Sequence, residues 1–201
     1  MKTIYQLFFL LFPIMLGGCL VKSSPETQYF DLGAPSPTAK YNYQINILPF
    51  AANEMYSEKM VFQNKPFSIE FDTFNRWAQS PNKMLFNYYN FYFNNPNSPK
   101  LSSKELPVKL SIKLLKLDCN LYKKISTLSL EVSVINTLNK KIIFKHIYNV
   151  EEKMNKLTAS EFALAVFKAN NLIIYKIDDK LNSILKLIIE KDESVNENAK
   201  S

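Results

Sequence analysis

The chain has 201 residues and a formal net charge of +7, with three glycines, one histidine and two cysteines. That length suits one ordinary domain with a sizeable core. So few glycines exclude a phosphate-cradling loop, and a single histidine argues against both a hydrolase triad and a His/Cys metal cluster.

The first residues read as a targeting segment. Lys2 is followed by the uncharged run Leu7-Phe8-Phe9-Leu10-Leu11-Phe12-Pro13-Ile14-Met15-Leu16. The run is shorter than the about 20 apolar residues a membrane-spanning helix needs. It has the length of a signal-peptide core. Leu16-Gly17-Gly18-Cys19 follows and resembles the bacterial lipobox. Two residues without bulk let a peptidase reach the backbone, and the Cys19 sulfur is a nucleophile able to take a diacylglyceryl group as a thioether. The expectation is therefore a leader over 1–18, cleavage before Cys19, and anchoring through acyl chains at about 0.8 kcal/mol per buried CH₂. Residue 20 is Leu rather than Asp, which points to the outer rather than the inner membrane in lipoproteins of enteric type. Residues 19–27 form a short tether. Its eight residues after the cysteine reach roughly 27 Å at most, so the folded part starts close to the membrane.

The domain is expected over 28–190. Gln28–Leu32 reads as a first strand, stopped by Gly33-Ala34-Pro35-Ser36-Pro37. Tyr43–Leu48 alternates as a second strand. Lys59–Gln63 and Phe67–Phe71 read as two short strands joined around Asn64-Lys65-Pro66. Asp72 or Thr73 then fits the cap of a helical turn through Phe74, Trp77 and Ala78. Ser80-Pro81 fits an N-cap with proline at the first helical position, opening a helix to about Phe93. Asn94 to Pro99 is a loop.

Val108, Leu110, Ile112 and Leu114 alternate with polar residues, and the phase slips at Leu114-Leu115, which predicts a bulge. Leu128, Leu130, Val132 and Val134 mark the next strand. Ile142, Phe144, Tyr148 and Val150 mark a third, and the three predict an antiparallel meander with one buried face. Thr158 with Glu161 forms a capping box opening a long helix. Phe162, Val166, Ala169, Ile173, Ile177, Leu181, Ile184 and Ile188 keep helical spacing, with a break allowed at Asn170-Asn171 or Asp178-Asp179. Residues 191–201 read as a disordered polar tail. The fold class is α/β: a single domain with a mixed sheet containing the meander, one aromatic-rich helix and one long C-terminal helix.

Candidate sites are few. His146 falls in the apolar phase of its strand and reads as a core or edge histidine. Cys119 reads as a buried strand thiol. Asp178-Asp179 and Glu151-Glu152 read as solvated pairs. Six aromatics between Phe86 and Phe93 overfill one helix face, so Tyr88 and Tyr92 are candidates for partner or lipid contact. The basic excess lies between residues 100 and 156, with twelve lysines against five acids. Lys109, Lys113 and Lys145 on the meander are candidates for contact with lipid phosphates or an acidic partner. An exported protein has no use for nucleic acid, and no catalytic or metal-ligating set emerges.

The lipobox, Tyr29-Phe30-Asp31-Leu32, the strand ending Ile47-Leu48-Pro49-Phe50, Met55 to Phe62, Asn75-Arg76-Trp77-Ala78, the meander and a helix bearing Ala163, Ala165 and Ala169 occur in that order. Together they resemble the ABC-type transport auxiliary lipoprotein component family, which includes the paraquat-inducible lipoprotein. Tyr29, Tyr56, Arg76 and Trp77 match its motif positions and read as structural. The aromatic stretch and the Asn-rich loop depart from its pattern. The resemblance implies an α/β domain on the periplasmic side of the outer membrane. It implies a non-enzymatic accessory or docking role beside an inner-membrane ABC or mammalian-cell-entry type protein in lipid trafficking, with no cofactor beyond the lipid on Cys19. Two other readings stay open: an outer-membrane assembly lipoprotein for lipopolysaccharide or barrel insertion, and a surface-exposed adhesin or antigen.

Overall fold

The structure, a computed structural model, describes residues 25–35, 43–94 and 102–198. Its strands are β1 (Gln28–Phe30), β2 (Tyr43–Ile47), β3 (Ala51–Ala52), β4 (Lys59–Gln63), β5 (Glu70–Trp77), β6 (Ser102–Asn120), β7 (Ile125–Asn136) and β8 (Ile142–Lys153). The helices are α1 (Pro81–Phe93) and α2 (Ala159–Asn198). The strands form one mixed sheet in the order β1-β5-β4-β6-β7-β8. β2, β3 and β4 run one after another, parallel to β6, along one edge of that strand. The result is the expected single α/β domain, with both helices on one face of the sheet.

The meander follows from alternation. Leu110, Val134 and Phe144 lie in one cross-strand row, and Leu114, Leu130 and Tyr148 in another. Leu110, Leu114, Leu130 and Val134 are fully buried beneath the helices, because side chains two apart on a strand share a face. The ladder slips between Leu114 and Lys116. Leu115 is therefore the extra residue, and the bulge returns Leu117 and Cys119 to the buried face.

α2 covers that face. Every apolar position from Phe162 to Ile184 that keeps the helical spacing is buried. The side-chain hydroxyl of Thr158 accepts from the Glu161 N–H at 3.3 Å. The Glu161 carboxylate reaches past the cap to the Asn155 N–H at 3.2 Å, tying down the incoming loop instead of closing a capping box. No break occurs at Asn170 or Asp178. The backbone stays helical to Asn198, so residues 191–198 are helix and not a disordered tail. Once a helix is nucleated each further residue adds a hydrogen bond, and Glu and Lys propagate it well. Residues 199–201 lie outside the described residues.

β5 corrects a second expectation. Residues 70–77 are a strand and not a helical turn. Asp72 does accept backbone N–H groups as a cap would, from Phe74 and Asn75 at 2.8 Å each. It does so inside a bulge: Val61 faces Phe71, whereas Lys59 faces Arg76. Trp77 closes the strand, donating its N–H to the Glu58 carbonyl at 2.7 Å. Ser80 sits at the α1 N-cap position and Pro81 at the first turn, but the Ser80 hydroxyl makes no capping bond. At the other end of α1, the Asn94 amide accepts from Ile45 N–H at 2.8 Å and donates to Ile45 C=O at 2.9 Å, acting as one more sheet residue beside β2.

Two polar residues of α2, Asn170 and Asp178, are buried. Asn170 is fully buried in α2, and neither its amide nitrogen nor its carbonyl oxygen is hydrogen-bonded. A buried unsatisfied group costs about 1–3 kcal/mol. Asn170→Leu, nearly isosteric, is expected to raise stability by about that amount, read as a higher urea midpoint. Asp178 is also buried, so the Asp178-Asp179 pair is not a solvated face; only Asp179 points outward.

Burial pushes the Cys119 thiol up to about 12, with Asp118 adding to the effect. Burial likewise pushes the Tyr88 hydroxyl up to about 12 and Tyr89 well above its ordinary value. Each group is protonated in both states below pH ~8.5, the usual thiol value. Above that, the unfolded chain loses its protons first, so rising pH favours unfolding. These groups should leave stability unchanged below pH ~8.5 and lower it progressively between about 9 and 12. Urea melts across that range test the window. A thiol reagent at pH 8 should leave Cys119 unmodified until urea unfolds the chain.

Candidate functional site

The ladder gives the sheet two unlike ends. At one end β4, β6 and β8 finish while β5, β7 and α2 begin: Gln63 pairs with Asn120, and Ile125 with Lys153. Three loops meet there, the β4–β5 loop (64–69), the β6–β7 turn (121–124) and the β8–α2 loop (154–158). Backbone bonds lock them to one another's strands. Leu121 N–H donates to the Gln63 carbonyl at 3.0 Å, and Met154 N–H to the Lys124 carbonyl at 2.9 Å.

These loops expose what a core would normally take. Phe67 is fully exposed, Tyr122 is 77% exposed, and Ile69, Phe71 and Leu157 are about half exposed. Phe67 sits at the apex of a tight turn in which Ser68 N–H donates to Lys65 C=O at 3.2 Å. Pro66 occupies the second turn position. Phe67 occupies the third with φ 61°, where Gly or Asn would be free of strain. Lys124 in the neighbouring turn is also left-handed, with φ 54°. The loops carry Lys65, Lys123, Lys124 and Lys156 and no carboxylate.

Behind the loops a cleft of about 650 Å³ opens between β1, β5 and the start of α2. Phe30, Phe62, Phe71, Leu121 and Leu157 form its apolar wall, and Glu70, Asp72, Asn75 and Thr158 its polar one. Burial raises the Asp72 carboxyl, but hydrogen bonds from the Asn75 side chain and from the Asn75 and Phe74 N–H groups outweigh it and hold the carboxyl below its ordinary value. It is committed to the bulge. The arrangement suits contact with amphipathic matter better than proton transfer.

The sequence-derived candidates scatter. Leu16, Gly17, Gly18 and Cys19 lie outside the described residues. Tyr29 faces Arg76 across β1 and β5, and Phe30 faces Trp77. Tyr29 is exposed, while Trp77 is core, packed edge-on against Phe162 at 5.4 Å. Tyr56 is buried; its hydroxyl is raised by burial, partly offset by the Leu117 backbone, with Asp118 adding to the rise. Lys109, Lys113 and Lys145 share the sheet face turned away from the helices. Lys113 stands opposite Glu131, and Lys145 forms an ion pair with Glu131 at 3.0 Å, so the face is mixed in sign.

Tyr88 and Tyr92 are corrected: both are buried and offer no surface. Tyr88 donates its hydroxyl to the Asn171 side chain at 2.7 Å, and Tyr92 packs edge-on against Phe93 and Tyr175. α1 packs on the sheet beside β2 and meets α2 at its flank, where Tyr88 touches Asn171 and Phe167, so two of its faces are covered and the aromatic excess is consumed as core. His146 lies on the edge strand β8, exposed, between the rings of Phe144 and Tyr148. The loop cluster around Phe67 escaped sequence reading. Its one signal was an aromatic residue directly after the turn proline.

No family model and no curated protein matches the chain. Among solved structures it is similar to a Xanthomonas campestris protein of the DUF330 family, with TM-score 0.64 and 13% identity over 75% of this chain and 92% of that one. It is also similar to an uncharacterised protein, with TM-score 0.63 and 16% identity over 78% of this chain and 99% of that one. At these identities the likeness establishes a shared fold: the chain is an α/β domain of the same architecture as the DUF330 protein, over nearly the whole of that protein's length.

Proposed function

We propose that the protein is an envelope lipoprotein anchored through Cys19, serving as a non-enzymatic accessory or docking component of a transport system of the ABC or mammalian-cell-entry type, in lipid trafficking. The observation that carries this reading is the lipobox placed at most roughly 31 Å of chain before β1. It fixes a rigid domain close to a bilayer. The fold shared with the DUF330 protein is consistent with the resemblance to the transport auxiliary lipoproteins. On this reading the acyl anchor holds the domain on the periplasmic side of the outer membrane, and the domain presents its surfaces to a partner.

Crosslinking in intact cells, purification through a C-terminal tag and mass spectrometry test it. Recovery of an ABC or mammalian-cell-entry component supports the reading. Recovery of only a barrel or lipopolysaccharide assembly machine overturns it. The outer sheet face is the candidate partner surface. The combined variant Lys109→Glu, Lys113→Glu, Lys145→Glu is expected to lower crosslinked yield roughly tenfold, since exposed pairs contribute about 0.2–1 kcal/mol each. An unchanged yield removes that face from the interface.

A further inference from the structure

We infer that the loop end around Phe67 rests on the lipid bilayer, with Phe67 inserted among the lipids. The inference rests on the anchored reading for the direction from which the chain arrives. β1 runs parallel to β5, with Gln28 opposite Asn75, so the residues before Gln28 approach from the end at which β5 begins. From Lys59, level with Arg76 and Tyr29, β4 needs only four more residues to reach that end at Gln63, roughly 13 Å. The opposite turn, 137–141, also exposes an apolar residue, Leu138. By the β4–β6 and β6–β7 registers it lies roughly 25 Å the other way. A tether of at most roughly 31 Å reaches the Phe67 end with slack. It reaches the far turn only by doubling back at nearly full extension.

Three features of that end fit a bilayer. Phe67, Tyr122, Ile69 and Leu157 offer apolar and amphipathic side chains at loop tips, where such residues enter the headgroup region. Lys65, Lys123, Lys124 and Lys156 surround them without a carboxylate in the same loops, matching anionic lipid phosphates. Of the acids nearby, Asp72 is bound within its bulge and Glu161 holds the Asn155 N–H; Glu70 is exposed where β5 begins, one residue past the loop, and is outnumbered by the four lysines. Finally, Phe67 occupies a strained left-handed position and packs against nothing. Its side chain adds nothing to the fold that would offset that strain. Burial in lipid supplies the missing gain.

The test uses the full, lipidated chain in vesicles of phosphatidylethanolamine and phosphatidylglycerol carrying a lipid-borne quencher. Cys119 is buried and Cys19 is occupied by lipid, so Phe67→Cys supplies one reactive thiol for an environment-sensitive fluorophore. Leu138→Cys supplies the matching probe at the far turn. The expected result is severalfold stronger quenching and a blue shift at position 67 relative to 138. Equal quenching, or stronger quenching at 138, overturns the inference while leaving the anchor intact. Failure of the unlabelled chain to float with vesicles sinks the anchored reading itself, a separable outcome. A second variant removes dependence on labelling at position 67. Phe67→Gly relieves the strained turn, so it should fold with unchanged or higher urea stability. It should weaken quenching of a probe at Tyr122→Cys severalfold. Undiminished quenching there contradicts insertion of Phe67.

Discussion

Phe162→Ala is expected to destabilise the domain by about 3–5 kcal/mol, the range for emptying a large aromatic site in a core. Phe162 is fully buried in the first turn of α2. Its ring meets Phe62 at 5.5 Å and Trp77 edge-on at 5.4 Å, so one side chain fastens the helix to β4 and β5 together. Aromatic pairs of this geometry contribute about 0.5–1.5 kcal/mol beyond their buried area. The backbones that carry both ring neighbours are fixed in the sheet, Trp77 by its backbone N–H bond to the Glu58 carbonyl and Phe62 by its pairing with Cys119, so they cannot shift as a unit to fill the space. A domain of this size is typically stable by about 5–15 kcal/mol, so the loss removes a large part of the margin. Urea denaturation followed by Trp77 fluorescence measures it. A loss below about 1 kcal/mol would mean that α2 is not fastened at this point.

Cys19→Ala is expected to have the largest effect on behaviour while leaving the domain's stability unchanged. Without the sulfur no thioether forms, and cleavage at the lipobox no longer follows lipidation. Stable anchoring takes two acyl chains or one chain with a basic patch, because a single chain binds only marginally. The loop lysines and Phe67 alone therefore give reversible association at best. The mature wild-type chain should partition almost wholly with membranes. The variant should persist as an uncleaved precursor, and a mature-length variant domain made without the leader should be released by salt. Fractionation with a high-salt wash measures both. Salt-resistant membrane retention of that leaderless domain would contradict the acyl anchor. Among the described residues no helix is long and apolar enough to cross a membrane.

The elements that were legible in the sequence are those where local pattern and tertiary burial agree. The period-two alternation from Val108 to Leu114 meets one buried face, and the slip at Leu114-Leu115 is the bulge at Leu115. The helical spacing from Phe162 to Ile184 meets one continuous sheet surface. Misreadings arose where one residue type serves two structures. Asp72 accepts neighbouring N–H groups in a helix cap and in a strand bulge alike, and only the partner strands β1 and β4 decide between them. The aromatics of α1 overfill one helix face, but α1 has two covered faces, and nothing within thirteen residues records the position of α2. Buried Asn170 and Asp178 look like surface residues by type, and their burial depends on packing made elsewhere in the chain.

The candidate site was less legible for a related reason. Phe67 and Ile69 alternate with polar neighbours as strand residues do. Their exposure follows from a turn at Lys65-Pro66 that ends one strand and delays the next to Glu70. The lysines that matter at that end are spread over three loops, from Lys65 to Lys156, and only the ladder gathers them. Strand parity alone decides that Lys109, Lys113 and Lys145 share one sheet face. Glu131, which tempers their charge, lies on the strand between.

The most direct test of the anchored reading is the intact mass of the protein extracted from membranes of a bacterium expressing the full chain. Lipidation at the lipobox predicts a mass lacking residues 1–18 and carrying at least a diacylglyceryl group, with fragmentation placing the addition on Cys19. A chain that retains residues 1–18, or begins at Cys19 with a free thiol, would contradict it.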